Sequence, residues 1–165
     1  MKQWNQRPRE EANLLNPAFC CTALTSSIIG YMGVDVEGMP YPLTFMILPI
    51  VLHKATREAV PQSRRTSLAA WIQDNTSVRV LFSERLISLK PHTREAVLFG
   101  LLHDWLAFRA GGRLQTAMAD RDVNRFLQRL DGEARECVRR ARFVGRWFAS
   151  AGSPQTVLAL WGIRP

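Results

Sequence analysis

The chain has 165 residues, a formal net charge of +8 and 47% hydrophobic residues. Its length fits one domain, by the usual range of about 100–200 residues per domain, and its hydrophobic content is that of a globular protein with a substantial core. Residues 1–16 are polar and lack the apolar core of a signal peptide, and no stretch reaches the about 20 apolar residues of a membrane span. These features argue against a secreted or membrane protein, so we expect a cytoplasmic location.

The positive charge lies in the second part of the chain. Residues 1–60 hold five basic and five acidic residues, whereas residues 61–165 hold 17 basic and nine acidic residues. Arginine accounts for 19 of the 22 basic residues, and its guanidinium group suits bidentate contact with phosphate or carboxylate. This balance favours nucleic acid or an acidic protein as a partner, although a compositional preference for arginine on a solvated surface explains the same counts.

The predicted fold is mainly α, a single compact helical domain around a buried central helix. Residues 1–13 are charged, and we expect a flexible N-terminal arm in which Trp4 anchors the arm to the body or to a partner. Residues 14–165 form the helical domain, whose C-terminal half is basic.

The first predicted helix begins at Asn16-Pro17. Asn is a preferred capping residue, and Pro is favoured at the first helical position because its missing N–H has no helical partner there. Apolar residues at helical spacing continue from Phe19 to Tyr31, and we expect Gly30 and Gly33 to end the helix. The turn-rich residues 34–42 then lead into the next helix.

The predicted core is organised around the stretch Tyr41–Val60. Leu43–Leu52 is apolar at all but two positions and has apolar residues on every helical face, which is typical of a helix with protein on all sides. Pro49 removes one helical donor, so we expect a kink there. A buried strand over Leu43–Leu48, followed by a helix from Pro49, is the alternative. Val60-Pro61 ends the helix, because the residue before a proline disfavours helical geometry.

The middle of the chain predicts three further helices and a strand. The first is a short helix over residues 66–75 that Thr66 or Ser67 can cap, and the second is a helix over 77–89 that Lys90-Pro91 breaks. The third is a long helix over 93–108 that Thr93 can cap, and its broad apolar face, typical of a helix that packs on a core, consists of Val97, Leu98, Leu101, Leu102, Trp105 and Leu106. A turn at Gly111-Gly112 and a strand or β-wing over Arg113–Met118 follow. This order is similar to a winged-helix arrangement, in which one helix enters a DNA groove and a hairpin contacts the backbone. Many helical domains share the order, so it does not decide the function.

The C-terminal part predicts helices over Asp120–Leu130, Glu133–Ser150 and a short stretch after Ser153-Pro154, with a tail that could add a strand. In the second of these helices, four arginines at i, i+4, i+7 and i+11 share one face. They are Arg135, Arg139, Arg142 and Arg146. We interpret this face as a binding surface for DNA phosphates or for an acidic partner, with an ordinary solvated face as the alternative.

No catalytic constellation is visible in the sequence. His103-Asp104 could ligate a metal ion, but a polar helix edge is the better interpretation because further ligands are lacking. No glycine-rich phosphate loop is present, and we interpret Cys20, Cys21 and Cys137 as small buried hydrophobic residues. We therefore expect no enzymatic activity, no cofactor, no metal and no small-molecule substrate.

Several short motifs in a fixed order resemble one known family. They are N-P-A-F at Asn16–Phe19, L-P-I-V-L-H-K-A-T-R at Leu48–Arg57, the Val60-Pro61 stop, R-T-S-L-A-A-W-I at Arg65–Ile72 and H-T-R-E-A-V-L-F-G at His92–Gly100. Together they resemble the middle component of three-component ABC (ABC-3C) systems, which are bacterial defence operons related to the Lamassu anti-phage systems. The resemblance covers roughly residues 12–118, with a matching helical tail.

The resemblance implies a small non-catalytic subunit of a defence complex. Its partners would be an SMC- or Rad50-like ABC ATPase and an effector, often a nuclease, and it would couple DNA sensing to that effector. Apolar residues left over once the core is packed are candidates for the partner interface, namely Trp4, Phe19 and Trp161. The rival hypothesis is a stand-alone winged-helix transcription regulator, for which Ser77–Leu89 would offer only Arg79 and Arg85 to contact bases.

Overall fold

The computed structural model describes residues 15–63, 65–130 and 132–163. Over these residues the helices are α1 Pro17–Met32, α2 Tyr41–Val51, α3 Lys54–Ala59, α4 Leu68–Asp74, α5 Phe82–Leu102, α6 Asp120–Arg129, α7 Gly132–Ala149 and α8 Pro154–Leu160. The strands are β1 Met39–Pro40, β2 Ala107–Arg109 and β3 Arg113–Gln115, and Thr76–Arg79 form a 3-10 turn. The prediction of a mainly helical fold with a small β-element is confirmed, whereas the predicted N-terminal arm lies outside the described residues.

Helix α1 lies at the centre of the fold. The Asn16 side chain accepts a hydrogen bond from the N–H of Ala18, Pro17 is the first helical residue, and the helix ends at Gly33, as predicted. Every residue from Cys20 to Ile28 is buried, so α1 has protein on all sides. Helices α5 and α7 pack against it, and α2 contacts it as well. The core is thus built around two buried helices, α1 and α2, and the prediction of one central helix captured only α2.

Two glycines allow α1 and α7 to approach each other closely. A Cβ atom built on Gly30 would lie 2.0 Å from the carbonyl oxygen of Arg142, and one built on Gly145 would lie 1.9 Å from the carbonyl oxygen of Ser27. Only a residue without Cβ fits at either position. Gly30 was predicted to end α1, but it lies within the helix and forms part of the contact with α7.

Helix α2 is buried along most of its length and carries Pro49 in its interior. The prediction of a buried helix through Pro49 is confirmed, whereas its extension to Val60 is wrong. The chain leaves helical geometry at His53, whose ring nitrogen accepts the N–H of Thr56 at 3.3 Å and caps the separate helix α3. Val60 ends α3, at the position that the following proline predicts.

Helix α5 runs without a break through Pro91, so the prediction of two helices separated at Lys90-Pro91 is wrong. Pro91 is exposed, and water can reach the backbone oxygen that its missing N–H leaves unpaired. Thr93 does not cap a new helix, because its hydroxyl donates to the carbonyl oxygen of Leu89 one turn earlier. The helix ends at Leu102 rather than near residue 108.

A three-stranded antiparallel sheet in the order β1-β3-β2 packs against α1 and α2. Strands β2 and β3 form a hairpin whose turn contains Gly111 and Gly112, both at positive φ. The strand predicted after this turn is confirmed. Strand β1 was predicted as part of a connector, because a two-residue strand is too short to show a periodic pattern. In the sheet, Met39 of β1 lies opposite Leu114 of β3.

An aromatic cluster joins α4, α5, α7 and the C-terminal residues. The rings of Trp71 and Trp147 lie 5.2 Å apart between centroids, and those of Phe82 and Trp161 lie 4.3 Å apart. Trp71 also contacts Trp161, at 5.9 Å. These rings fix α8 and the residues after it onto the domain, and the strand considered for the tail does not form over residues 161–163.

Candidate functional site

Helices α6 and α7 form the basic C-terminal surface of the domain. Two of the four arginines predicted to bind DNA or a partner instead contact α6. The Nε atom of Arg135 donates to the carbonyl oxygens of Leu127 and Leu130, at 3.2 and 2.8 Å, and so satisfies the C-terminal end of α6. Arg142 forms an ion pair with Asp120, at 2.9 Å, at the other end of α6. These two arginines therefore position α6 on α7.

The other two arginines of the predicted face point into solvent. Arg139 donates two hydrogen bonds to the carboxylate of Glu136, at 2.8 and 3.0 Å, which partly neutralises its charge. Arg146 is exposed and forms no ion pair within the part of the chain that the structure describes. The function of these four residues stays a prediction, but their charge is less available than their spacing indicated.

Helix α6 carries a second row of arginines that the sequence analysis missed. Arg121, Arg125 and Arg129 follow one another at i, i+4 and i+8, and all three are exposed. No hydrogen bond or ion pair connects them to other described residues. Asn124 and Gln128 lie along one side of this row, and Asp122 lies at its other edge. The helical-spacing test that singled out α7 would have identified this row.

Two further arginines, one on α3 and one on α7, are buried. Arg57, on α3, donates to the carbonyl oxygen of Val51 at 2.6 Å and forms an ion pair with Glu133. Arg140 donates to Glu136 at 2.9 Å and to the carbonyl oxygen of Pro61 at 3.2 Å. Burial with paired carboxylates gives these two arginines a structural role in joining α3 and the following loop to α7.

Helix α5 presents an exposed apolar surface. Ile87, Leu98 and Leu102 are 68%, 54% and 80% exposed, and their spacing places them along one side of the helix. We call these three residues the α5 stripe. The prediction that Leu98 and Leu102 face the core is wrong, because Thr93, Ala96, Val97 and Gly100 form the buried side of α5.

A groove of about 360 Å³ lies beside the stripe, between α2, α5 and the C-terminal residues. Its lining combines apolar and aromatic side chains with two cations: Tyr41, Pro42, Phe45, Leu86, Leu158, Ile163, Lys90 and Arg94. The ring of Phe108, on β2, contacts Tyr41 at 5.4 Å and continues this surface onto the sheet. Exposed apolar surface of this kind, rimmed by charge, is typical of protein interaction sites.

Comparison with protein families assigns the chain. The model of the family described as ABC-three component (ABC-3C) system Middle Component 3 matches residues 4–165. The chain belongs to this family. Comparison with curated proteins and with solved structures found no match. The resemblance to middle components of ABC-3C systems is thereby confirmed, and the relationship to Lamassu systems stays a prediction.

The residues predicted for the partner interface of this middle component differ in their placement. Trp161 is 1% exposed within the aromatic cluster, so the prediction that it is left over once the core is packed is wrong. The burial of Trp161 could not be predicted from its position in the sequence, because the rings that contact it belong to the distant residues Trp71 and Phe82. Phe19 is half-buried against the core, and Trp4 lies outside the described residues.

The cysteine and histidine side chains among the described residues lie in different surroundings. Burial raises the pKa of Cys20 to about 12 and that of Cys21 to about 11, so neither thiol is a nucleophile at neutral pH. His103 is exposed at the end of α5, with its ring 4.3 Å from that of Phe99. Over residues 15–63, 65–130 and 132–163, no three His, Cys, Asp or Glu side chains are grouped to hold a metal ion, and no helix could cross a membrane.

Proposed function

We propose that this middle component is a non-catalytic adaptor that links an SMC- or Rad50-like ABC ATPase to an effector, such as a nuclease, in a cytoplasmic complex for bacterial antiviral defence. Membership of the family makes the chain one component of a three-component system. The α5 stripe carries the adaptor role, because a subunit that joins two others must present apolar surface that its own fold does not cover. The shared motif order supports a relationship to Lamassu systems.

The chemistry of the described residues fits an adaptor better than an enzyme. Its cysteines are buried and protonated, and the buried charges of Arg57 and Arg140 are held by carboxylates that fix neighbouring elements. The stripe and the adjacent groove offer the apolar centre and charged rim of a protein interface. We propose that the ATPase covers them, with acidic side chains opposite Lys90 and Arg94.

We also propose that the basic surface of α6 and α7 contacts DNA. The exposed arginines of both helices support this contact, since guanidinium groups bind phosphates through charge-assisted and often bidentate hydrogen bonds. The adaptor would then bring the ATPase, the effector and DNA together.

Co-expression with the ABC ATPase encoded beside it tests the adaptor function. We expect the two proteins to co-purify, and we expect the double change Leu98→Ser and Leu102→Ser to abolish co-purification, because it removes the apolar centre of the interface. The matched control is Val34→Ser and Val36→Ser, two exposed valines in the loop after α1. Both variants should melt cooperatively near the wild-type temperature. A wild-type protein that does not co-purify with the co-expressed ATPase would contradict the adaptor function.

The alternative function is that of a stand-alone winged-helix transcription regulator, which the β2–β3 hairpin after α5 favours. Such a protein would bind one operator sequence far more tightly than unrelated duplexes. Binding measurements on the upstream region of its own gene separate the two hypotheses. Tight, sequence-specific binding without any association with the ATPase would favour the regulator.

A further inference from the structure

We propose that α6 is the helix that binds double-stranded DNA, and that Arg121, Arg125 and Arg129 bind consecutive backbone phosphates without reading the base sequence. This inference rests on the DNA contact proposed above and assigns it to a different helix from the one that sequence spacing indicated.

The three arginines are placed at regular intervals on one exposed face. Residues four apart on a helix are separated by about 6 Å along its axis, so the row of three spans about 12 Å. Asn124 and Gln128 lie along one side of the row and supply further hydrogen-bond donors. None of these five side chains is engaged elsewhere in the described chain, so each is available to a phosphate oxygen.

The acidic residues nearby do not neutralise this row. Asp120, at the start of α6, is held by Arg142 of α7 at 2.9 Å. Asp122 lies at the edge of the face, about 60° from Arg125 by helical geometry, and forms no ion pair with the row among the described residues. The three arginines therefore carry a net positive charge on this face, and none of them is paired with a described acidic residue.

Helix α6 is fixed firmly enough to hold the row in place. Val123 is buried, and Phe126 contacts the ring of Trp105 with a centroid separation of 6.4 Å. Arg135 and Arg142 of α7 hold the two ends of the helix. Two arginines of the face first predicted to bind DNA thus support the DNA-binding helix, and the free guanidinium groups belong to α6.

The composition of this face favours DNA over an acidic protein. Protein interfaces have a desolvated centre of apolar and aromatic residues, whereas interfaces with DNA are polar and strongly positive. The exposed face of α6 has no apolar residue at any of its five positions. The α5 stripe has the opposite character, so the two surfaces suit different partners.

Salt-dependent DNA binding by the full chain and by its complex with the ATPase tests the inference. The α6 variant replaces the row with glutamine: Arg121→Gln, Arg125→Gln and Arg129→Gln. The control variant removes the same charge from exposed positions on other elements: Lys54→Gln, Arg65→Gln and Arg79→Gln. Affinities for two duplexes of unrelated sequence are measured by fluorescence anisotropy over a range of salt concentrations.

We expect the α6 variant to reduce the magnitude of the slope of log K against log salt by about 2.7, since each lost phosphate contact contributes about 0.9. Both duplexes should be affected equally, because phosphate contacts carry no base information. The control variant should change the slope by less than about 1. Both variants should still co-purify with the ATPase and keep the wild-type circular dichroism.

Four results would overturn the inference, and they differ in what they say of the proposed function. Equal slopes for the α6 and control variants would remove α6 from the interface. If only the double variant Arg139→Gln, Arg146→Gln lost DNA binding, the DNA contact would lie on α7, and the proposed contact between this protein and DNA would still hold. If the complex with the ATPase formed normally but neither the wild type nor any variant bound DNA, the DNA contact would be excluded and only the adaptor function would be retained. Loss of ATPase association in the α6 variant would show that an acidic protein covers this face.

Discussion

Gly30 and Arg142 meet backbone to backbone, so that a Cβ atom on Gly30 would lie 2.0 Å from the carbonyl oxygen of Arg142. The crossing of α1 and α7 depends on this approach and on the matching one at Gly145. It also positions Arg142, whose side chain holds the start of α6. The packing of α7 on the buried helix α1 thereby determines where the basic surface lies.

The first prediction concerns this helix crossing. Gly145→Ala should destabilise the protein by about 1–3 kcal/mol or more, because the added methyl group forces α1 and α7 apart. Gly33→Ala is the control: Gly33 has a negative φ of −67°, and the nearest atom to a Cβ there is 3.3 Å away, which a small shift can accommodate. Urea denaturation measures both. Equal stabilities for the two variants would show that α1 and α7 tolerate a wider separation.

The second prediction concerns the ion pair between Arg57 and Glu133. The Arg57 side chain is 4% exposed, whereas that of Glu133 is 64% exposed. Glu133→Gln should cost about 1–3 kcal/mol of folding free energy, because it leaves the buried Arg57 charge without a compensating carboxylate. The cost should be less than for a fully buried pair, because the glutamine oxygen can still accept a hydrogen bond and water still reaches position 133.

Glu58→Gln provides the matched control for this ion pair. Glu58 pairs with Lys54 at 4.0 Å, and both side chains are well exposed. Such surface pairs contribute only about 0–1 kcal/mol, so this change should be close to neutral in the same denaturation experiment. A neutral result for Glu133→Gln as well would indicate that uncharged oxygen acceptors are sufficient for Arg57 and that the carboxylate charge is not needed.

The third prediction concerns pH. Burial lowers the pKa of His53 from its ordinary value of 6.5, and the charges of Arg85 and Arg57 lower it further. Below pH 6.5 the unfolded chain takes up a proton at this position that the folded chain resists, so the free energy of unfolding should decrease as the pH falls from 6.5.

His53→Asn is the comparison for this pH effect. Asparagine keeps an acceptor for the N–H of Thr56 at the start of α3 but does not titrate. The difference in unfolding free energy between wild type and His53→Asn should therefore depend on pH between 5 and about 6.5, and be constant above pH 7.5 or so. Parallel curves across the whole range would exclude His53 as the source.

The fourth prediction separates the four arginines of α7 by their contacts. Arg135→Gln with Arg142→Gln should cost about 1–2 kcal/mol, because the pair satisfies both ends of α6. Arg139→Gln with Arg146→Gln should change stability by no more than about 0.5 kcal/mol, as exposed arginines usually do. Thermal melts of the two double variants test this difference. Identical melts would mean that α6 does not depend on α7 for its position.

Local signals predicted the elements whose ends carry capping residues or glycine. Asn16-Pro17, Ser67 and Ser153 begin helices where capping chemistry indicated, because these groups act within one turn of chain. Pro91 misled the prediction for the opposite reason. Its effect depends on whether the backbone oxygen that it leaves unpaired faces water, and only the tertiary structure decides that.

The sequence predicted that the candidate site is rich in arginine, but not which arginines are paired and which are free. The sequence shows that the C-terminal half is basic and that α7 carries aligned arginines. Periodicity cannot show that Arg142 meets Asp120, 22 residues earlier, or that Trp161 meets Phe82 in the core. The apolar residues Leu98 and Leu102 were assigned to the core by the same periodicity, because a partner-facing stripe and a core-facing stripe have the same spacing.

The cluster of Trp71, Trp147 and Trp161 gives the domain an internal optical probe. Three of its five tryptophans have ring centroids within 6 Å of a neighbouring tryptophan, close enough for their indole transitions to couple. Coupled, immobile rings produce strong near-ultraviolet circular dichroism, which disappears when their packing loosens. Any event that lifts the C-terminal residues from α4 and α7, including assembly with a partner, is therefore visible spectroscopically without a label.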